Sequence, residues 1–201
     1  MSAAVELFDL HADGTPPADP LTLAREWLPA DDEPDRPQVT LGTLGTDGCP
    51  DARTVLLTAF DETGFAFHTS AASRKVAELA ALPRASMVVL WPGFTRQLVL
   101  RGEVVPDAAE SVAAAWAARS DHLRRLAWCN TDELAALNRD ERLRRWAAAP
   151  VGPLRTQAPS WVGYRLQPVE LTFWAGGVDS ASRRLQYPRT ADGWRWRHLA
   201  G

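Results

Sequence analysis

Two adjacent cations lie where an α-helix is expected to begin. Residues 69–75 read Thr-Ser-Ala-Ala-Ser-Arg-Lys and lead into apolar residues at helical spacing, with Ser73 as a suitable N-cap. Arg74 and Lys75 then occupy the first helical turn, where the helix dipole already supplies positive charge. A phosphate would offset the repulsion, because backbone N–H groups, hydroxyls and both cations could converge on it. Two solvated charges on an exposed turn are the alternative interpretation.

The distribution of basic residues supports a localised anion site. Lys75 is the only lysine among 22 basic residues, the other 21 being arginine. Arg53 interrupts the apolar run over residues 52–57, where a buried charge needs a partner. The formal net charge is −3, and this balance argues against a general nucleic-acid-binding surface. The sequence therefore predicts a single phosphate site rather than a basic face.

Hairpins and helices, rather than βαβ units, surround these residues. The pattern predicts strands over residues 39–44, 52–57, 65–69, 85–91, 97–105, 161–166, 170–174 and 194–199, and helices over 21–28, 73–82, 107–118 and 131–146. This order indicates an α+β protein, mainly β, built on an antiparallel barrel with peripheral helices. Residues 1–20 are rich in turn-forming residues and are expected to form a flexible arm, with residues 21–201 as one domain.

Signals for several other classes of protein are absent from the sequence. Cys49 and Cys129 are far apart and form no metal-ligand spacing, so neither a disulfide framework nor a metal site is expected. We find no signal-peptide pattern and no apolar run long enough to span a membrane. These features predict a cytoplasmic protein without a membrane or nucleic-acid partner.

The motifs around Arg53 and Lys75 resemble the FMN site of the pyridoxamine 5′-phosphate oxidase family. Arg-Thr-Val-Leu-Leu at 53–57, Phe-His-Thr at 67–69 and Ser-Arg-Lys at 73–75 are followed, in the family's order, by Arg96-Gln97, Trp-Val-Gly-Tyr at 161–164, Phe173-Trp174 and Arg184. The resemblance extends from about residue 20 to the C-terminus. It implies an FMN-binding split β-barrel that forms a homodimer with FMN at the subunit interface.

The resemblance also implies a set of cofactor-binding residues. Arg53, Arg74 and Lys75 would hold the FMN phosphate, and Thr69 and Ser73 would supply hydroxyls. The remaining contacts would come from the backbone of Thr54, Val55 and Leu56, from Gln97 at the edge of the isoalloxazine, and from Trp174 and Arg184 of the partner subunit.

Two further positions are relevant to chemistry. His68 stands where the family usually has an aromatic residue, and it is either a planar replacement or a direct catalytic group. Arg119 is the second catalytic candidate, although in this family the flavin itself carries the chemistry. The Gln-Ser pair with which family members contact FMN is absent after Trp128.

The substrate side departs from the vitamin-B6 enzymes. The lysine that closes their first motif is Thr58 here, and their helical tyrosine, arginine and serine are Ala115, Arg119 and Leu123. Their Arg-Leu-His motif reads Ser-Ala-Ser at 180–182. Only Arg119 is retained among these polar anchors, and each charge-assisted hydrogen bond is worth about 1.5–3 kcal/mol. We therefore expect weak affinity for a pyridoxine phosphate, with Thr58, Arg119 and Ser182 left as substrate-binding candidates.

The resemblance predicts an FMN-dependent oxidoreductase, an oxidase or dehydrogenase that uses oxygen as acceptor and acts on a small molecule outside the vitamin-B6 group. A dihydroaromatic intermediate of secondary metabolism is preferred, because the phenazine-biosynthesis branch of the family also ends its first motif without lysine. Two alternatives stay open. One is a genuine pyridoxine/pyridoxamine 5′-phosphate oxidase with rearranged substrate contacts. The other is a non-catalytic module that binds a flavin, haem or deazaflavin.

Overall fold

The computed structural model describes residues 8–29, 37–149, 156–179 and 181–201. Within these ranges the strands are β1 (Gln38–Leu44), β2 (Pro50–Asp61), β3 (Gly64–Ser70), β4 (Arg84–Leu90), β5 (Arg96–Pro106), β6 (Trp161–Ala175), β7 (Arg183–Thr190), β8 (Gly193–Trp194) and β9 (Arg197–Ala200). The helices are α1 (Pro20–Trp27), α2 (Arg74–Ala81), α3 (Ala109–Ala118), α4 (Asp121–Cys129), α5 (Asp132–Ala135) and α6 (Arg139–Ala148), with a 3-10 turn at Pro92–Phe94.

Six antiparallel strands close into a barrel. The order along the sheet is β3–β2–β1–β4–β5–β6, and β3 also pairs with β6, from Phe65 opposite Leu166 to Ser70 opposite Trp161. The 15-residue β6 pairs with β5 along most of its length and continues beyond the ring to pair with β7. The predicted antiparallel split β-barrel with peripheral helices is therefore confirmed.

Apolar side chains on alternate strand positions fill the barrel. Leu41, Phe67, Leu98 and Phe173 are each 0% exposed. Full burial of one such side chain contributes about 1.5–3 kcal/mol, so this interior is the main source of stability. A smaller cluster lies outside the barrel, where Trp116 of α3 packs against Trp161 and Ala158.

The helical segment between β5 and β6 differs from the prediction. The expected helix over residues 131–146 is two helices, because Asn138 caps α6 by accepting a hydrogen bond from the Glu141 N–H at 3.0 Å. Helix α4 was not predicted; its N-cap Ser120 accepts from the Leu123 N–H at 3.3 Å. No helix in the described part of the chain is long and apolar enough to cross a membrane.

The strands near the C-terminus also differ from the prediction. Residues 161–166 and 170–174 belong to one strand, because the pairing of β6 with β5 shifts register where Pro168 faces Gly102. A bulge of this kind lets a proline lie within a strand, where its missing N–H would otherwise break the ladder. Strand β7 was not predicted at all.

The described part of the N-terminal segment lies against β7. Leu10 is 2% exposed, and the Arg183 side chain donates to the carbonyls of Leu10 and Ala12, each at 2.5 Å. The Tyr187 hydroxyl donates to the Pro17 carbonyl at 3.0 Å. Residues 1–7 of the expected arm lie outside the described residues, and the flexibility of residues 1–20 stays a prediction.

Candidate active site

A cavity of about 570 Å³ opens between the first turn of α2, the ends of β3 and β6 that lie next to it, and helices α4 and α5. This volume lies within the usual range for small-molecule sites. Its lining brings together Thr69, Ser73 and Lys75 with His68 and Arg119. Five of the residues predicted from sequence therefore surround one space.

Lys75 and two hydroxyls form the α2 end of the cavity. The Lys75 Nζ donates to Thr69 Oγ1 at 3.0 Å, and Thr69 Oγ1 lies 3.2 Å from Ser73 Oγ. Ser73 occupies the N-cap position, but its hydroxyl makes no capping hydrogen bond to α2. Burial, and then the neighbouring Arg53 charge, lowers the pKa of Lys75. Among the described residues Lys75 forms no ion pair, so its charge is available to an anion.

Arg53 and Arg74 each have carboxylate partners within the chain. Their expected role in holding the FMN phosphate stays a prediction. Arg53 Nη2 lies 2.6 Å from Glu78 Oε2 and 2.8 Å from Asp51 Oδ2, and Arg74 Nε lies 2.9 Å from Glu78 Oε1. Neither arginine lines the cavity. The sequence argument missed Glu78, although its spacing of four residues from Arg74 was a visible signal.

Arg119 lies flat against an indole ring. Its guanidinium carbon is 4.2 Å from the centre of the Trp161 ring, and its Nη2 donates to the Leu123 carbonyl at 3.1 Å. Its Nε is buried and has no hydrogen-bond partner within the described residues. Burial, and then Arg124, lowers the pKa of Arg119 to about 10, so it stays charged at neutral pH. The cation–π contact with Trp161 holds the guanidinium in place, so an anion in the cavity would meet its positive charge.

His68 forms part of the cavity floor, but both ring nitrogens face protein. Its side chain is 0% exposed. Nδ1 lies 2.8 Å from Thr58 Oγ1, and a Cβ added at Gly163 would lie 2.7 Å from Nε2. The ring stacks on Trp161 at 5.1 Å between centroids. This geometry favours a planar packing role for His68 over the direct catalytic role considered from sequence.

The protonation of His68 follows from this burial. Desolvation lowers its pKa to about 4, and the Asp107 carboxylate, whose Oδ2 is 3.9 Å from Nε2, raises it only in part. Asp107 is engaged elsewhere, because Arg165 Nε donates to its Oδ1 at 2.9 Å and the Ser111 hydroxyl donates to its Oδ2 at 2.6 Å. His68 is therefore neutral at pH 7.

The other predicted substrate contacts are occupied within the chain. The Thr58 hydroxyl lies 3.0 Å from the Ala66 carbonyl as well as next to His68. Ser182 Oγ accepts a hydrogen bond from the Trp174 Nε1. Ser180 lies outside the described residues. Of the three substrate-binding candidates, Arg119 alone lines the cavity.

The remaining predicted cofactor residues lie away from this cavity. Gln97 pairs with Trp174, and Trp174 pairs with Arg184, so the three share one face at the far end of β5, β6 and β7. The predicted backbone contacts belong to β2, as Thr54, Val55 and Leu56. None of these six residues lines the cavity around Lys75.

Comparison with known proteins identifies the fold. Residues 24–174 match the family described as pyridoxamine 5′-phosphate oxidase, and residues 161–200 match the pyridoxine 5′-phosphate oxidase C-terminal dimerisation region. The pyridoxine/pyridoxamine 5′-phosphate oxidase of Alkalilimnicola ehrlichii is 37% identical over 174 residues, covering 85% of this chain and 89% of the relative. The protein of the same name from Pseudomonas paraeruginosa is 35% identical over 193 residues, covering 92% and 89%.

Two solved structures are similar over most of the chain. PhzG from Burkholderia lata 383, in complex with tetrahydrophenazine-1-carboxylic acid, has a TM-score of 0.78 at 26% identity and covers 99% of this chain and 100% of its own. A pyridoxamine 5′-phosphate oxidase-related, FMN-binding protein from Nostoc punctiforme has a TM-score of 0.64 at 20% identity, covering 82% and 86%, and supports the fold alone. The chain therefore belongs to the pyridoxamine 5′-phosphate oxidase family, whose characterised relatives are FMN-dependent oxidases.

Proposed function

We propose that this protein is an FMN-dependent oxidase of a small planar molecule that carries an anionic group. The observation that carries the substrate class is Arg119, a charged donor that lines the cavity and lies over Trp161. Arg119 forms no ion pair among the described residues, so a carboxylate or phosphate in the cavity would pair with its charge.

The residues at the α2 end of the cavity fit the FMN phosphate. Lys75 supplies a charge without a carboxylate partner, and Thr69 and Ser73 supply hydroxyls within 3.2 Å of each other. FMN held there would supply the redox chemistry, which is hydride acceptance from the substrate followed by electron transfer to oxygen. The chain's own part would be to hold the phosphate at Lys75 and to orient the substrate through Arg119, which Trp161 supports from below. His68, neutral and buried, keeps Trp161 in place.

A homodimer would complete the site. The match to the family's C-terminal dimerisation region covers residues 161–200, which include Trp174 and Arg184. These two residues and Gln97 share one sheet face away from the cavity of their own chain. We infer that Trp174 and Arg184 reach the isoalloxazine of FMN bound by the partner subunit, and that Gln97 contacts the edge of the isoalloxazine.

Pyridoxine or pyridoxamine 5′-phosphate is one candidate substrate. Curated relatives that are 31–37% identical to this chain carry the name of that oxidase. This assignment requires that Arg119, with rearranged neighbours, take the place of the anchors that the sequence lacks.

A dihydroaromatic carboxylic acid is the second candidate. Ala115 and Leu123 offer no hydrogen bonds from their side chains, and Thr58 and Ser182 already bond within the chain. A carboxylate needs fewer donors than a phosphate, so one arginine can hold it. The similar PhzG structure contains tetrahydrophenazine-1-carboxylic acid.

Anaerobic flavin reduction distinguishes these candidates. The protein, saturated with FMN, is mixed without oxygen with pyridoxine 5′-phosphate, pyridoxamine 5′-phosphate or a dihydroaromatic carboxylic acid, and the visible flavin absorbance is followed. The true substrate class bleaches the flavin, and air restores the colour with release of hydrogen peroxide. Bleaching by a phosphate ester alone would select the first candidate, and bleaching by the carboxylic acid alone the second.

Two results would contradict the proposal. A protein that stays colourless after incubation with FMN would remove the cofactor assignment. A protein that binds FMN, but whose flavin is reduced by neither class of compound and only by dithionite, would instead support a flavin-binding module without turnover.

A further inference from the structure

The hairpin that joins β6 to β7 contains a hydrogen bond between two of its side chains. Trp174, near the end of β6, pairs in register with Arg184 of β7, and Ser182 precedes Arg184 by two positions. The Ser182 hydroxyl accepts a hydrogen bond from the Trp174 Nε1, and both side chains are half-buried. An indole N–H can only donate, so this acceptor determines the direction in which the edge of the indole points.

The Ser182 hydroxyl is held in place by the chain around it. The Gly201 N–H donates to the Ser182 carbonyl at 3.0 Å, and a Cβ added at Gly201 would lie 2.1 Å from Ser182 Oγ. The next residue, Arg183, donates through its Nε to the Leu10 carbonyl at 2.5 Å. The end of β9 and the N-terminal segment therefore fix the position of the acceptor independently of Trp174.

The backbone of Trp174 is fixed as well. Trp174 pairs in register with Gln97 of β5, and the Gly176 N–H donates to the Thr95 carbonyl at 2.9 Å. What the backbone leaves variable is the rotamer of the indole, and the hydrogen bond to Ser182 restricts it. A side chain that is already held in one rotamer loses less conformational entropy when a ligand binds against it.

We propose that Ser182 is a positioning residue, which holds the Trp174 indole in the orientation that receives the isoalloxazine of FMN bound by the partner subunit. The serine stands at the end of the Arg-Leu-His motif of the vitamin-B6 enzymes, so in this chain the position serves the cofactor through Trp174 rather than the substrate. The inference rests on the proposed function, because it requires that Trp174 reach that isoalloxazine.

Flavin affinity and the flavin spectrum test this role. The Kd is measured from the quenching of flavin fluorescence, with the dimer confirmed by size-exclusion chromatography at the assay concentration. Ser182→Ala removes the acceptor and is expected to raise the FMN Kd about 3- to 10-fold, the value of one hydrogen bond and one ordered side chain. Riboflavin has the same isoalloxazine without the phosphate, so its Kd is expected to rise by the same factor.

Two comparisons separate positioning from a general loss of packing. Trp174→Phe keeps an aromatic ring without an N–H, so adding Ser182→Ala to it is expected to change the Kd less than about twofold. Thr190→Val is the matched control, because it removes a different hydroxyl of β7, which bonds the Gly193 carbonyl at 2.9 Å. At saturating FMN, the visible circular dichroism of the flavin is expected to change in Ser182→Ala and not in Thr190→Val, since this signal depends on the orientation of neighbouring aromatic rings.

The outcomes distinguish the inference from the proposed function. A wild-type protein that binds neither flavin would refute the proposed function, and the inference with it. A wild-type protein that binds FMN, with a Ser182→Ala variant that has the same Kd and the same flavin circular dichroism, would refute the positioning role alone. An equal rise in Kd with and without the Trp174 indole would also refute it, because Ser182 would then act by another route.

Discussion

Replacement of His68 by phenylalanine tests whether this residue is buried in its neutral form. The ring stacks on Trp161 and its side chain is 0% exposed, so phenylalanine keeps a planar ring but cannot be protonated. In the folded protein the pKa of His68 is lowered from 6.5 to about 4 by desolvation. Below pH 6.5 the unfolded chain therefore binds a proton at His68 that the folded protein does not bind. The free energy of unfolding must therefore decrease as the pH is lowered from 6.5 to about 4.

The size of this effect follows from the two pKa values. At about 1.4 kcal/mol for each pH unit, the full loss for a pKa of about 4 against 6.5 is about 3 kcal/mol, of which about 2 kcal/mol falls between pH 7 and pH 5. Carboxylates with a lowered pKa contribute only slightly above pH 5, and they contribute equally in the wild type and in His68→Phe. Desolvation raises the pKa of Asp107, but its hydrogen bonds to Ser111 and Arg165 and the Arg165 charge together lower it by more. The net pKa lies below 3.8, so this group is ionised throughout.

Urea unfolding at pH 7 and pH 5, at fixed protein and flavin concentrations, measures the difference. The free energy of unfolding of wild-type protein should fall about 2 kcal/mol more than that of His68→Phe over this interval. His122→Gln, at an exposed position on α4, is the matched control and should follow the wild type. Equal pH dependence of the wild type and His68→Phe would show that His68 is not buried as a neutral group, and would refute the reasoning.

Three other substitutions test separate parts of the site. Arg119→Met should raise the substrate KM about 10- to 100-fold and leave FMN affinity unchanged, as measured by steady-state kinetics and flavin titration; equal affinity for substrate would exclude Arg119 as its anchor. Gly163→Ala should destabilise by about 1–3 kcal/mol, because its Cβ would lie 2.7 Å from both His68 and Val112; an unchanged Tm would contradict this close packing. Arg165→Met should cost about 3–5 kcal/mol, because it leaves the buried Asp107 carboxylate without its ion pair; a loss below 1 kcal/mol, measured by urea unfolding, would mean that the pair is replaceable.

Local patterns were sufficient to predict most of the barrel. Alternating apolar residues in β1, β4 and β5 gave strands at the observed places, because one face of each strand is buried in the core. Strand β7 lacks this signal, since its exposed and buried positions do not alternate regularly. The length of β6 could not be predicted either, because it depends on the bulge opposite Gly102, a tertiary feature.

Part of the site was predictable from the repulsion between the helix dipole and the cations in the first turn of α2. The cations at the start of α2 were correctly identified as an unusual arrangement, and Lys75, Thr69 and Ser73 do lie together at one end of the cavity. The partners of Arg74 were only partly predictable. Glu78 lies four residues along the same helix and was visible in the sequence, whereas Asp51 belongs to β2, which only folding brings near.

The structure also changes how the missing substrate lysine is to be interpreted. From sequence, Thr58 in place of lysine and His68 in place of an aromatic residue are two independent departures from the family. In the folded protein the two departures are linked, because Thr58 Oγ1 lies 2.8 Å from His68 Nδ1.

A threonine at 58 is therefore explained by packing as well as by a changed substrate. The two explanations differ in a double-mutant cycle on unfolding free energies. Thr58→Val should cost about 1–2 kcal/mol in the wild type and less in His68→Phe, where the imidazole partner is gone, with a coupling of about 0.5–1.5 kcal/mol. Additive effects would leave the substrate as the reason for Thr58. Coupling would mean that Thr58 is explained by its contact with His68. Support for a changed substrate would then rest on the helical anchors lost around Arg119.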